Sequence, residues 1–209
     1  MSRMSHVVLM LVCATLLASC NDDDSPGVTS PTVPVTAGAS TGPWFRIANL
    51  SSDLHKAEVR LDGRVFNEQM GYPTITGYRQ VEPGSHNIRF VPPPKVQVDP
   101  RTVELGTTFT VGPGEAVTIV AAGLVDTRTL TVVDIRDDLM PSGEQARIRL
   151  INAMSDFPST LDLWQNPNIA LVRRVQFLGE PPFRDLNAGN HPLEVRRTGT
   201  RGPLLPVVP

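Results

Sequence analysis

The residues best suited to chemistry fall into a few short groups. Ser51, Ser52, Asp53 and His55 lie close together, and a serine nucleophile, a histidine base and an orienting carboxylate would make a hydrolase. No nucleophile-elbow pattern surrounds either serine, and triads are normally assembled from distant segments. A hydrolase using Asp53, His55 and a nearby serine is therefore the alternative reading, and no catalytic residue is assigned. His86 and His191 each follow a turn glycine, Gly84 and Gly189. A metal would need further ligands, and no Cys, second His or ordered acid stands at ligand spacing. Each imidazole is expected instead to bond nearby backbone and fix its turn. Asp22-Asp23-Asp24 sits in a stretch without periodicity and holds no coordination geometry. Neither a metal nor a cofactor is expected.

Cys20 is the remaining reactive group, and its context is specific. Arg3 opens a short basic region, Val7 to Ala18 is apolar, and small residues precede Cys20. The run is shorter than the roughly 20 residues a membrane-spanning helix needs, so residues 1–19 read as a cleaved export signal outside the fold. Leu17-Ala18-Ser19-Cys20 resembles the lipobox of bacterial lipoproteins. The resemblance implies diacylation of the Cys20 sulfur, cleavage before it and acylation of the new amino terminus, with fatty acids such as palmitate. Several chains, each contributing about 0.8 kcal/mol per buried CH₂, anchor where one chain does so only marginally. Asn21 follows Cys20, and the aspartate that favours inner-membrane retention stands one residue late at Asp22, which points to the outer membrane. Cys13 lies in the discarded run, so export leaves no cysteine pair to oxidise. Processing leaves 190 residues and a formal charge of −3. Residues 20–43 are a Ser/Thr/Pro/Gly/Val mixture without periodicity and read as a disordered tether reaching about 25–30 Å.

The globular part must hold these groups in place. Lys and Arg number 19 against 21 Asp and Glu, far from the basic footprint of a nucleic-acid binder. With 16 Gly, 20 Pro and 5% aromatics, short strands and many turns are favoured over a helical bundle. The segment Arg46-Ile47-Ala48-Asn49-Leu50-Ser51-Ser52-Asp53 recurs as Arg149-Leu150-Ile151-Asn152-Ala153-Met154-Ser155-Asp156. Tyr78-Arg79-Gln80-Val81-Glu82-Pro83-Gly84-Ser85-His86 recurs as Phe183-Arg184-Asp185-Leu186-Asn187-Ala188-Gly189-Asn190-His191. A duplicated module is the reading. Its shared positions are Asn49, Asp53, Gly84 and His86, matched by Asn152, Asp156, Gly189 and His191. Ser52-Asp53 and Ser155-Asp156 suit turn capping through local backbone bonds. Pro158 stands where the first copy has His55, so the triad arrangement does not recur.

Alternation of Phe45 and Ile47, and of Val59 and Leu61 before Asp62-Gly63, predicts half-buried strands and a hairpin. Leu161 and Leu163 take the equivalent place, which aligns Trp164 with Asp62 at an exposed strand end. There the indole could meet a sugar or peptide, packing being its commoner use. Thr107–Val111, Ala116–Ala122 and Thr129–Ile135 continue the first copy. The expected fold is all-β: tandem antiparallel β-sandwich modules of immunoglobulin-like or transthyretin-like kind, complete over 44–138 and incomplete over 146–209. The second copy lacks three strands, so it packs on the first, is completed by another chain, or reflects truncation.

The Arg46–Asp53 block, Val59-Arg60-Leu61-Asp62-Gly63, Tyr78, Pro83-Gly84 and Val117–Gly123 together resemble the bacterial domain of unknown function 4397. The resemblance implies a secreted or lipid-anchored β-sandwich, often in tandem, with no catalytic residues to transfer. The expected partners are a membrane, through the lipid, and a protein or glycan ligand, with oligomers formed through the incomplete module.

Overall fold

The computed structural model describes residues 9–11, 42–91, 105–139, 145–155, 159–165 and 168–204. Cys20, the tether up to residue 41 and Asp156 lie outside the described residues. Every regular element among the described residues is a strand, as the Gly/Pro-rich, aromatic-poor composition predicts. The chain divides into two compact units, Asp23–Leu139 and Met140–Pro209, the latter taking in Met1–Asp22 and with it strand β1 (Leu9–Leu11).

The first unit is a two-sheet sandwich. One sheet contains β2 (Trp44–Asn49), β5 (Thr74–Ile75), β6 (Arg79–Gln80), β9 (Ala116–Ala122) and β10 (Thr131–Asp137). The other runs in the order β4 (Arg64–Met70), β3 (Ala57–Leu61), β7 (Gly84–Val91) and β8 (Gly106–Val111). Period-two alternation turns His86, Ile88 and Phe90 of β7 inward and their neighbours outward. Phe45, Ile47, Val117 and Ile119 from the first sheet meet Val59, Ile88, Phe90, Phe109 and Val111 from the second in one core. Asp62 and Gly63, with φ of 49° and 79°, close the β3–β4 hairpin in the left-handed conformations the Asp-Gly pair predicts.

One pairing departs from the antiparallel expectation, since β2 and β9 run parallel, Ile47 opposite Ile119. After β2 the chain traverses the whole opposite sheet before β9 returns beside it. No hairpin constrains the direction of return, and a parallel pair needs a long crossover of this kind. Buried along its full length, β9 is apolar at every position but Thr118.

The second unit is likewise built of strands. Its strands are β11 (Ala146–Ile148), β12 (Leu150–Asn152), β13 (Leu161–Gln165), β14 (Ile169–Val175), β15 (Arg184–Leu186) and β16 (Leu193–Arg197). The sheet β14-β13-β16 matches β4-β3-β7, and β11 pairs β15 as β2 pairs β6. Ile148, Leu150, Leu161, Leu163, Val172, Val175 and Val195 form its core. The register corrects the alignment of Trp164. Leu163 faces Val195 as Val59 faces Phe90, so Trp164 corresponds to Arg60 within the strand and not to Asp62 in the turn. Both the β3–β4 and β13–β14 pairs carry register shifts.

No strand among the described residues takes the place of β9 beside β12. Instead β1 pairs with β12, antiparallel, with Met10 opposite Ile151. Leu9–Leu11, part of the stretch that the sequence reads as an export signal, thus lie beside β12 in this structure. The physical reason is a short apolar segment meeting an edge along which no other strand lies among the described residues.

Candidate functional site

The polar residues shared by the two units are occupied in holding backbone. Asn49 is fully buried; its Nδ2 donates to Leu54 O at 2.9 Å and Met70 O at 3.2 Å, and its Oδ1 accepts from Ser51 N at 3.2 Å. Asn152 does the same work, donating to Val175 O at 3.3 Å and accepting from Met154 N at 3.1 Å. Asp53 accepts from Ser51 Oγ at 3.0 Å and from the backbone N–H groups of Val125 and Asp126, both at 2.9 Å. It therefore bonds a loop distant in sequence as well as its own turn. His55 is exposed, and its ring forms no bond with Asp53 or the neighbouring serines, so the residues of the hydrolase reading are not brought together as a relay.

His86 meets the expected backbone contact, Glu82 O at 2.7 Å from Nε2, and adds a partner that sequence reasoning missed, Asp62 Oδ2 at 2.7 Å from Nδ1. Its ring packs beside Phe109, with centroids 5.5 Å apart. Burial works against the charged ring, but the bonds from Asp62 and the Glu82 carbonyl outweigh it and raise its pKa above the ordinary 6.5. The same bond, helped by the Asn87 N–H and opposed by burial, holds Asp62 below the usual carboxylate value of 3.8. In the second unit His191 Nε2 donates to Asn187 O at 2.6 Å, and Gln165 Nε2 faces Nδ1 at 2.7 Å. An amide replaces the carboxylate, so this ring meets no anion there.

A pH dependence follows. A raised folded-state histidine pKa contributes stability that is complete below 6.5 and is lost as pH rises through the folded value. The lowered Asp62 contributes above 3.8 and is lost as pH falls through its folded value. The first unit is expected to lose stability on going from pH 6 to pH 9. In Asp62→Asn the histidine part of that slope should vanish, as read by urea midpoints across the range. An unchanged slope in the variant would contradict the assignment.

A second cluster joins β2, β9 and β10 with Tyr78, the residue just before β6. The Arg46 guanidinium stacks 4.4 Å from the Tyr78 ring centroid, its Nε donates to Thr118 Oγ1 at 2.8 Å, and its terminal nitrogen lies 4.0 Å from Asp137 Oδ2. The Tyr78 hydroxyl donates to Asp137 at 2.8 Å, and Thr118 Oγ1 also donates to it. Burial, then the Asp137 charge, push the Tyr78 hydroxyl well above its ordinary pKa of 10.0. In the second unit Arg149 stacks 4.4 Å from Phe183, the counterpart pair without the hydroxyl. The recurrence of Arg with Tyr or Phe in both sequence blocks was the signal that could have found this cluster. Tyr78→Phe should keep the stack, lose one charge-assisted bond and cost about 1.5–3 kcal/mol in urea unfolding.

Trp164 is half-buried in mid-strand, with Arg196 4.6 Å from its ring and Arg196 paired to Glu194 at 2.5 Å. Its indole N–H is buried without a hydrogen-bond partner. Among the described residues no three His, Cys, Asp or Glu side chains group so as to hold a metal ion. A surface cleft of about 570 Å³ is lined by Pro43, Gln80, Val81, Glu82, Pro83 and Pro113, with Glu82 its one ionisable side chain.

Two apposed sheets whose shared polar residues secure turns and strand ends define a β-sandwich protein. The chain belongs to the family described as Domain of unknown function (DUF4397), which it matches over residues 43–163, from the start of β2 into β13. No curated protein and no solved structure matches it significantly.

Proposed function

We propose that the protein is lipid-anchored in the bacterial cell envelope through Cys20, facing the periplasm or the surface, and that it acts by binding or structural support without chemistry of its own. The observation that carries this reading is Leu17-Ala18-Ser19-Cys20 behind an apolar run and ahead of a tether-like segment. The occupied polar groups support the non-catalytic part, since Asn49, Asp53 and His86 are all engaged in fixing backbone or hairpin turns. In this reading the second unit is an abbreviated copy of the first. Several acyl chains on one residue would give stable attachment, favouring the outer membrane because Asn21 follows Cys20.

Cells given radiolabelled palmitate should label the wild-type protein and leave Cys20→Ala unlabelled. An unlabelled wild type would contradict the anchor. A serine-hydrolase probe should not mark the protein, and marking lost in His55→Ala would restore the catalytic reading.

A further inference from the structure

We propose that the edge of β12 is a dimerisation surface, closed in the processed protein by β12 of a second copy running antiparallel and centred on Ile151. The inference rests on removal of residues 1–19, as proposed above, because that removal takes β1 away.

The edge is built to be covered. In the first unit the corresponding residues Ile47, Ala48 and Asn49 pair with Ile119, Val120 and Ala121 of β9. In the second unit β1 stands on that ladder, with Leu9 opposite Asn152, Met10 opposite Ile151 and Leu11 opposite Leu150. Leu150 and Ile151 are 0% and 1% exposed. Strand alternation sends their side chains to opposite faces, Leu150 into the core with Leu161 and Leu163. Loss of β1 uncovers backbone N–H and C=O groups between two buried aliphatic residues, an arrangement that templates pairing with another strand.

The register shows what fits. The edge accepts an antiparallel strand with a residue opposite Ile151 and one on either side. Leu150-Ile151-Asn152 of a second copy meets that requirement about a two-fold axis, with Ile151 opposite Ile151 and Leu150 opposite Asn152 at both ends, a self-complementary contact. The seam receives no unsatisfied side chain, since the Asn152 amide is already bonded to Val175 O and Met154 N. No like charges collide, because the same register sets Arg149 opposite Ala153. A three-residue ladder is short, and anchoring on one membrane raises the effective concentration that lets it form.

The test is Ile151→Cys in the full chain, expressed with its own export signal and oxidised in intact membranes. Directly opposed Cα atoms in an antiparallel pair lie about 4.5–5.5 Å apart, inside the range a disulfide spans. Cys13 leaves with the signal and Cys20 is blocked by lipid, so the introduced thiol is the only one. Most of the protein should run as a disulfide-linked dimer, against little for Glu180→Cys, an exposed collision control on the same unit. Wild-type protein in mild detergent, by light scattering, should have the mass of two chains, which guards against a folding defect in the variant. Equal crosslinking in both variants, or one-chain mass for wild type, overturns the proposal. The N-terminal mass of the same sample separates the two readings: a monomer starting at acylated Cys20 overturns the edge pairing alone. A monomer retaining residues 1–19 overturns both.

Discussion

Asn49→Ala should destabilise the first unit by about 3–4 kcal/mol. The side chain is fully buried and serves three backbone groups at once, the carbonyls of Leu54 and Met70 and the N–H of Ser51. Ser51, Leu54 and Met70 are themselves buried. Each orphaned group costs about 1–3 kcal/mol, partly relieved if water enters the space vacated. At about 4–8 °C per kcal/mol for a unit of this size, the melting temperature should fall by at least 12 °C. Asn152→Ala removes only two bonds and should cost the second unit less, about 2 kcal/mol. Asn49→Asp keeps the size but cannot donate, and should be nearly as damaging. Trp44 and Trp164 lie one in each unit, so urea unfolding of the Trp164→Phe background reports on the first unit alone. A loss under 1 kcal/mol in Asn49→Ala would mean that the turn is held by something else.

Asp137→Leu should be comparably severe, at about 3–5 kcal/mol, for an electrostatic reason. Its side chain is 1% exposed and takes hydrogen bonds from Tyr78 and Thr118, while the largely buried Arg46 guanidinium lies 4.0 Å away. Removing the carboxylate leaves a buried cation facing two hydroxyls and a ring, and breaking a buried pair from one side carries that order of penalty. Arg46→Met alone should cost a similar amount by taking the positive charge away from a buried carboxylate. The double variant Arg46→Met/Asp137→Leu should lose much less than the sum, since an apolar pair of similar volume removes the desolvation cost as well as the attraction. Additive losses in the double-mutant cycle would show that the two groups do not interact.

Strands such as β2 and β7 were legible because one face lies in the core, and alternation records that directly, whereas β5 and β6, two residues each, are too short to show a period. Phe45 and Ile47, and Ile88 and Phe90, alternate with polar neighbours and are buried. The Asp62-Gly63 hairpin was legible because few residue pairs accept two consecutive positive φ angles. The parallel β2–β9 pair was not, since the direction in which a strand returns after a long crossover depends on the packing of the whole sandwich. The Arg46–Tyr78–Thr118–Asp137 cluster was hidden for a related reason. Polar residues alternating with apolar ones read as a solvent face, and Thr118 comes 72 residues after the Arg46 it bonds. The place of Trp164 was not legible because the sequence matches Leu161 and Leu163 to Val59 and Leu61, whereas pairing to β16 and β7 sets Leu163 at the place of Val59. His86 was read correctly as a backbone-bonding residue, while its carboxylate partner required knowing that the hairpin turn and β7 sit side by side.

The proposed lipid anchor is tested most directly at the amino terminus of the protein recovered from cells. Intact-mass and N-terminal peptide analysis of protein extracted by detergent from envelope membranes should find a chain beginning at Cys20, with acyl chains on both its sulfur and its amino group. A chain that retains residues 1–19, or an unmodified Cys20 in protein recovered from the soluble fraction, would contradict it.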